Sequence, residues 1–252
     1  LLIFAFNLPL ELFLMKTNLI TLLLTALLST HALAFSIDYR HEVQDRAENT
    51  HKDRLLLSHR FANGFGLSSE VKWKTGDTDA ENNKIYHENT SDGFEVTPSY
   101  LYGFNKIYSL EGGLNIVSDS GYTNYRPYIK SIINIAEDVN WSLRYRPFYK
   151  RYSANRNTEK ETSENGVTIT SVLGYRFLSQ WGLDYELEYH KTNTAFFAPV
   201  ANNKSYQWSH DLKLAYSVDK NWKPYVAIGN VSGSKYTDER QTRYRVGVTY
   251  NF

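Results

Sequence analysis

The sequence predicts an all-β chain, a transmembrane antiparallel up-and-down β-barrel of about twelve strands. Three observations carry that prediction. Beyond Phe35 no apolar stretch approaches the roughly 20 residues of a membrane-spanning helix, so a membrane-embedded mature chain must pair its backbone in a closed barrel. Segments with one apolar and one polar face then recur at period two as far as the C-terminus. The connections between them alternate short and long, as in outer-membrane barrels, whose short turns face the periplasm.

The strands are placed at Phe35–Val43, Asp53–Ala62, Phe65–Lys74, Phe94–Phe104, Tyr108–Ser118 and Tyr125–Ile135 in the first half. The second half holds Trp141–Tyr152, Val167–Phe177, Leu183–Lys191, Tyr206–Tyr216, Trp222–Val231 and Arg240–Phe252. In the fourth, Phe94, Val96, Pro98, Tyr100, Tyr102 and Phe104 alternate with Glu95, Thr97, Ser99, Leu101 and Gly103. In the seventh, Trp141, Leu143, Tyr145, Pro147 and Tyr149 alternate with Ser142, Arg144, Arg146, Phe148 and Lys150. The eleventh has the weakest register, because Lys223-Pro224-Tyr225 suits either face.

Asn63-Gly64 reads as a tight hairpin turn in which both central residues take positive φ. Residues 105–106, 136–140, 178–180 and 219–221 are also short connections, whereas 75–93, 153–166 and 192–205 are long and polar. An even strand count puts both termini on the short side. Leu, Ile and Val at strand middles, with Tyr, Trp and Phe towards the ends, suggest aromatic girdles against outer-membrane lipid. The closing Tyr250-Asn251-Phe252 has the form of a signal read by the barrel-assembly machinery through Phe252. A soluble barrel alternates too, but it turns its apolar side chains inward and its charges outward.

Met15-Lys16, the apolar run Leu19 to Leu28 and the small-x-small site Ala32-Leu33-Ala34 describe a secretory signal peptide. Translation is expected to start at Met15, and cleavage after Ala34 leaves residues 35–252 as the barrel. The alternative, an anchor built from Leu1 to Leu28, is weakened by Glu11 and Lys16.

A chain of 252 residues fits one domain. The absence of Cys excludes thiolate metal sites, Cys nucleophiles and disulfides. A formal charge of +1 argues against bulk nucleic-acid binding, so any electrostatic function must come from segregated charge. If the apolar face meets lipid, the polar face lines a lumen in which basic residues outnumber acidic ones. Strands twelve, one, two and three, neighbours after closure, contribute Arg243, Arg245, Arg40, Arg54, Arg60, Lys72 and Lys74. Strands six to eight contribute Arg126, Lys130, Arg144, Arg146, Lys150 and Arg176 from the other side. The acids are expected between the two groups: Glu95 and Glu111 on one flank, and Asp184, Glu186, Glu188 and Asp211 on the other. Facing basic ladders select anions, and the planar Arg fork suits carboxylates. Tyr128, Phe148 and Tyr152 are interleaved where sugar ring faces would pass. The plainer reading is a set of paired charges that keeps a narrow barrel wet, or plugs it.

Nothing assembles a convincing active site. The seven histidines lack helical metal spacing, and there is no Gly-x-Ser-x-Gly elbow or phosphate-cradling Gly loop. No cofactor or metal is implied, and no Ser-His-Asn or Asp-His pairing is evident on the outer wall or rim.

Several segments resemble the oligogalacturonate-specific porin family. They are Ser36-Ile37-Asp38-Tyr39-Arg40-His41-Glu42, the run from His51 to Phe61, Asn124-Tyr125-Arg126-Pro127-Tyr128, the run from Leu143 to Arg151, Asn221-Trp222-Lys223-Pro224-Tyr225, and the run from Thr237 to Val248. The resemblance covers essentially all of the expected mature chain except the long loops. It implies a monomeric twelve-stranded outer-membrane porin, not an enzyme, that admits oligogalacturonates released from pectin, with a sister branch that admits sialic acid. On it, Arg144, Arg146, Arg126 and Lys130 correspond to the basic lining of one wall, and Arg40, Arg54, Arg60, Arg243 and Arg245 to the other. The alternatives are a porin for another anionic sugar such as sialic acid, an outer-membrane phospholipase- or protease-like enzyme, and a plugged structural barrel or adhesin.

Overall fold

A computed structural model describes residues 34–45, 51–75, 89–153, 163–193 and 199–252. The segment expected to be a signal peptide lies outside these residues up to Leu33. The strands are β1 (Ala34–Gln44), β2 (His51–Arg60), β3 (Phe65–Thr75), β4 (Asn89–Gly103), β5 (Tyr108–Asp119) and β6 (Tyr122–Asn134). They continue as β7 (Val139–Tyr152), β8 (Ser163–Phe177), β9 (Trp181–Thr192), β10 (Tyr206–Tyr216), β11 (Trp222–Ser232) and β12 (Arg240–Asn251). Each pairs antiparallel with its sequence neighbours, and β1 pairs with β12 from Ser36↔Asn251 to Gln44↔Arg243. The expected twelve-stranded, antiparallel, closed order is what the chain forms.

Two strands reach further than their side chains announce. β4 starts at Asn89 and β8 at Ser163, because Thr75 and Arg151 on the neighbouring strands carry the ladder past the apolar alternation. The β3–β4 register shifts between Val71 and Trp73, where Gly93 takes φ +105°. On the long-loop side β5 and β6 are joined by Ser120 and Gly121 alone, so one of those connections is short.

The turn at Asn63-Gly64 differs from expectation. Only Gly64 has positive φ (+92°), and its N–H donates to the Phe61 carbonyl at 3.0 Å while Phe61 N–H donates to Phe65. That is a longer loop ending in a left-handed glycine, which matches strand twist as well as the two-residue form does. A Cβ on Gly64 would meet the Leu101 carbonyl oxygen, so the position excludes side chains. Two successive positive φ values occur instead at Leu178 (48°) and Ser179 (57°), in the short turn before β9, and at Asn202 (48°) and Asn203 (56°), which close a small hairpin bridged by Ala201 and Lys204.

The distribution of side chains is inverted relative to a soluble protein. Val246, Ile228 and Ile129 are about half exposed (54%, 50% and 49%), whereas Asp38, Glu42 and Asp211 are buried (8%, 6% and 5%). Water-facing apolar walls on this scale would be untenable, but hydrocarbon accepts them, and a lumen accepts the charges. Aromatics ring the short-turn rim: Trp181–Tyr216 at 4.7 Å, Trp222–Tyr250 at 4.8 Å, Tyr250–Phe252 at 4.8 Å and Phe252–Phe35 at 5.0 Å between centroids. The eleventh strand's ambiguity resolves with Tyr225 and Ala227 inward and Val226 and Ile228 outward.

Because Ile129 faces lipid from the middle of β6, Ile129→Arg is expected to destabilise the barrel in bilayers by about 2–4 kcal/mol. Val172→Gln, on the lumen wall, is expected to cost under about 1 kcal/mol in the same denaturant titration. At the short turn after β10, backbone N–H groups of Trp222 and Asn221 donate to Asp219 and hold its carboxyl below the usual range. A lowered folded-state pKa gives stability above the unfolded pKa that disappears as pH falls through the folded one. Asp219→Ala should therefore lower the unfolding midpoint at pH 7 and leave it unchanged near pH 2.

Candidate functional site

Strand parity decides which side chains enter the lumen. Residues that alternate with Leu143, Tyr145 and Tyr149 on β7, or with Tyr244 and Val246 on β12, point inward. The result is a central cavity of about 570 Å³, lined among others by Arg40, Arg54, Lys72, Arg126, Arg144, Arg146 and Arg245. Arg243 borders an adjoining chamber of about 220 Å³ towards the long loops, with Lys52 and Asp92. Arg60 lies in one of about 230 Å³ towards the short turns, with Glu111 and Tyr128. Lys74 pairs with Asp92 at 2.9 Å, Lys150 with Glu164 at 3.3 Å and Arg176 with Asp184 at 3.0 Å. Lys130 is inward on β6, between Glu111 and Arg144 in the ladder. In ring order β1 and β7 are diametrically opposed.

The acids are not confined to the flanks, which corrects the expected segregation. Asp38, Glu42 and Glu70 stand within the β12–β1–β2–β3 wall and neutralise much of it. Arg54 pairs with Asp38 and, at 3.4 Å, with Glu70. Arg245 reaches Glu42 at 2.7 Å and Asp211 at 3.3 Å, and Arg243 also pairs with Asp211. On the next strands Glu95 gathers Arg126 at 2.5 Å and Lys72 at 3.3 Å.

The opposite wall is different. Arg144 donates to the neutral Thr170 hydroxyl at 3.2 Å. Arg146 has Asn115 Oδ1 at 3.4 Å and its nearest carboxylate, Glu188, at 4.0 Å. Lys130 has no hydrogen bond or ion pair among the described residues. Across the lumen the one carboxylate paired with Arg40 among the described residues is Glu42 at 3.8 Å, which it shares with Arg245. Among the described residues the shielded Nε–H donors of Arg40, Arg54, Arg126, Arg144 and Arg146 have no acceptor. Arginines so placed bring positive charge to the lumen that few carboxylates neutralise.

The aromatics are more constrained than their alternation suggests. Tyr128 donates to Glu111 at 2.5 Å and lies flat across Gly113, where any Cβ would collide with its ring. Phe148 is buried and stacked on His190 at 5.2 Å, so it packs the wall. Tyr152 and Tyr122 flank the Lys150 ammonium at 5.8 and 4.9 Å. Besides the acids Asp38, Glu42 and Glu70, the lumen residues Tyr225 and Lys213 escaped the sequence reading. Tyr225 lies over Gly247 and donates to Asp38 at 3.2 Å, hidden by the ambiguous Lys223-Pro224-Tyr225 register. Lys213 pairs with Asp184 at 3.0 Å and was legible from its place between Leu212 and Leu214.

An Asp-His pairing, not anticipated from sequence, lies on the outward face of β1 and β2. His41 Nδ1 is 2.9 Å from Asp53, Tyr39 donates to Asp53 at 2.6 Å, and His41 Nε2 is 3.1 Å from His51 Nδ1.

The family model described as oligogalacturonate-specific porin protein (KdgM) matches residues 28–252. The oligogalacturonate-specific porin KdgM of Dickeya dadantii (strain 3937) is 52% identical over 238 residues, covering 94% of this chain and 100% of that one. A solved structure of the KdgM porin in complex with disordered oligogalacturonate matches with a TM-score of 0.64 at 46% identity, over 86% of this chain and 99% of that one. The NanC porin structure matches with a TM-score of 0.72 at 19% identity, over 86% and 100%, a likeness of fold.

Glu95 holds Arg126 and shares Lys72 with Glu70, which is closer to it at 2.8 Å, so Glu95→Gln is expected to leave Arg126 without a carboxylate partner among the described residues. Reversal potentials across a salt gradient should move towards higher anion selectivity, and an unchanged ratio would show that this carboxylate does not govern the field.

Proposed function

The chain belongs to the oligogalacturonate-specific porin family, and on that footing we propose that it conducts oligogalacturonates through its lumen. It is an outer-membrane porin, a multi-pass barrel. The observation that carries the substrate reading is the poverty of carboxylate partners around Lys130, Arg144 and Arg146, facing Arg40 across a cavity of about 570 Å³. A polyuronate presents carboxylates at regular intervals along a flexible chain. Staggered cations that are only partly neutralised can exchange contacts with it one at a time, which keeps binding weak enough for release. The carboxylates Asp38, Glu42 and Glu70, with Asp211 of β10, hold Arg54, Arg243 and Arg245 in place and limit how deep the attractive well becomes. Tyr225 and Tyr128, held flat over glycines, leave the passage open and offer ring faces to sugars.

Several finer readings belong to the same proposal. The basic residues of both walls, Arg40, Arg54, Arg60, Lys72, Lys74, Arg126, Lys130, Arg144, Arg146, Lys150, Arg176, Arg243 and Arg245, act as pore-lining groups, with Arg40, Lys130, Arg144 and Arg146 dominant. The channel works as a monomer, since one chain closes its own barrel. A signal peptide ending at Ala34 exports it, and Phe252 presents the assembly signal at the short-turn rim.

Planar-bilayer recording tests the reading. The wild type is expected to be anion-selective and blocked by trigalacturonate. The double charge reversal of Arg144 and Arg146 to Glu should lower anion preference and trigalacturonate block while leaving the folded barrel intact. A cation-selective channel indifferent to trigalacturonate would overturn the assignment.

A further inference from the structure

Three cations on the long-loop rim do not face the lumen at all. Arg240 opens β12 and lies outward across β11. Its Nε–H donates to Asn230 Oδ1 at 2.7 Å, Nη1 to the Trp208 carbonyl at 2.9 Å and to Ser232 Oγ at 3.1 Å, and Nη2 to the Asn230 carbonyl at 2.9 Å. Every acceptor is neutral. The guanidinium is therefore fixed in direction while its charge stays uncompensated, and one Nη2–H remains unspent.

Lys204 is held just as firmly by its backbone. It closes the Asn202-Asn203 hairpin, which is tied to the segment before β12 by Asn203 N–H to the Lys235 carbonyl at 2.8 Å and Asn203 Nδ2 to the Tyr236 carbonyl at 2.7 Å. Its ammonium sits 5.5 Å from the Tyr206 ring centroid. Lys191 opposes Tyr206 in the β9–β10 ladder, on the same outward face as Tyr189. Among the described residues none of the three cations makes an ion pair, although Asp238 and Glu239 border the same depression as Lys204 and Arg240.

The surroundings are those of a membrane interface. Tyr189 packs on Trp208 at 4.7 Å and on Tyr206 at 5.8 Å, an outer-rim aromatic cluster. Directly below, on the membrane side, a groove of about 310 Å³ runs down the outer wall past Asn230, Thr242, Leu212 and Ile228. Its two polar rings satisfy each other, Tyr185 Oη and His210 Nδ1 being 2.7 Å apart, which leaves the groove floor suited to hydrocarbon. Asn230 joins the two features: it anchors Arg240 and lines the groove.

We propose that the outer face of β9–β12 docks a phosphorylated glycolipid of the outer leaflet, with its phosphate on Arg240, Lys204 and Lys191 and one acyl chain in the groove beside Leu212 and Ile228. Cations at headgroup height that form no ion pair among the described residues can take an anion from outside, and a phosphate takes a fixed Arg fork well. The acyl groove selects a lipid over a free anion. The proposal rests on the outer-membrane placement of the barrel and is independent of what passes through the lumen.

The test is native mass spectrometry of the intact barrel in detergent. The probes are a bis-phosphorylated outer-leaflet glycolipid, the same lipid stripped of phosphate, and inorganic phosphate. The phosphorylated lipid is expected to bind one-to-one and the stripped lipid much more weakly, with no retention of inorganic phosphate. Arg240→Gln and Lys204→Gln should each weaken binding about fivefold, and together on the order of twentyfold or more. Ile228→Trp, which fills the groove, should weaken binding of both lipids. Single-channel conductance and trigalacturonate block should be unchanged in all three variants. Lys204→Gln removes no hydrogen bond between described residues, so it remains informative if Arg240→Gln fails to fold. Equal binding of the phosphorylated and stripped lipids, or wild-type affinity in Lys204→Gln, would overturn the proposal. Retention of inorganic phosphate alone would also overturn it, by revealing a free-anion site.

Discussion

Backbone closure is the constraint from which everything else in this barrel follows. In hydrocarbon each unpaired N–H or C=O costs several kcal/mol, so an open sheet edge is not an option. The β1–β12 ladder, nine residue pairs from Ser36↔Asn251 to Gln44↔Arg243, removes the last edge. Once the sheet is closed, each side chain has two choices only, lipid or lumen. Period two then assigns them with no further freedom, because a slip of one residue would exchange the faces of a whole strand.

That assignment puts charge in a confined space, and confinement makes pairing decisive. Cations brought together across a narrow lumen would repel one another and the fold would suffer. The chain answers with carboxylates set among the arginines, Asp38, Glu42 and Glu70 inside one wall and Asp211 beside it on β10, each engaged by one or two arginines. The opposite wall is left less balanced, and the field across the lumen is consequently asymmetric. An anionic guest meets a wall whose Arg54, Arg243 and Arg245 are already paired, and in Arg40, Lys130, Arg144 and Arg146 cations with few carboxylate partners. This division of labour explains how a protein with a formal charge of only +1 can present an attractive path to a polyanion.

The same logic operates on the outside with the solvent exchanged. Outward polar groups are tolerated where they satisfy each other, as Tyr185 with His210 and Tyr39 with Asp53, or where they reach the headgroup zone, as Arg240 does. The long-loop rim is thus chemically distinct from the short-turn rim, where Phe35, Tyr250, Trp222 and Phe252 form a girdle of packed rings. A barrel with differing rims has a defined orientation in an asymmetric membrane.

The order and number of strands, the inward direction of Arg144, Arg146 and Arg245, and the position of the short turns were legible in the sequence, because each follows from local alternation. The family likeness was legible as well, in runs such as Leu143 to Arg151. Pairing between distant strands was not. That Glu42 would hold Arg245, 203 residues away, or Tyr225 would reach Asp38, 187 residues away, depends on register and closure, which no local pattern encodes. The turn at Gly64 was misjudged for a related reason: loop geometry answers to the twist of the strands it joins. Sequence alone determined which residues share a face, since that is a property of the extended backbone. Only the closed tertiary structure decided which charges cancel and which stay free, since that depends on distances across a lumen that exists only once the last ladder has formed.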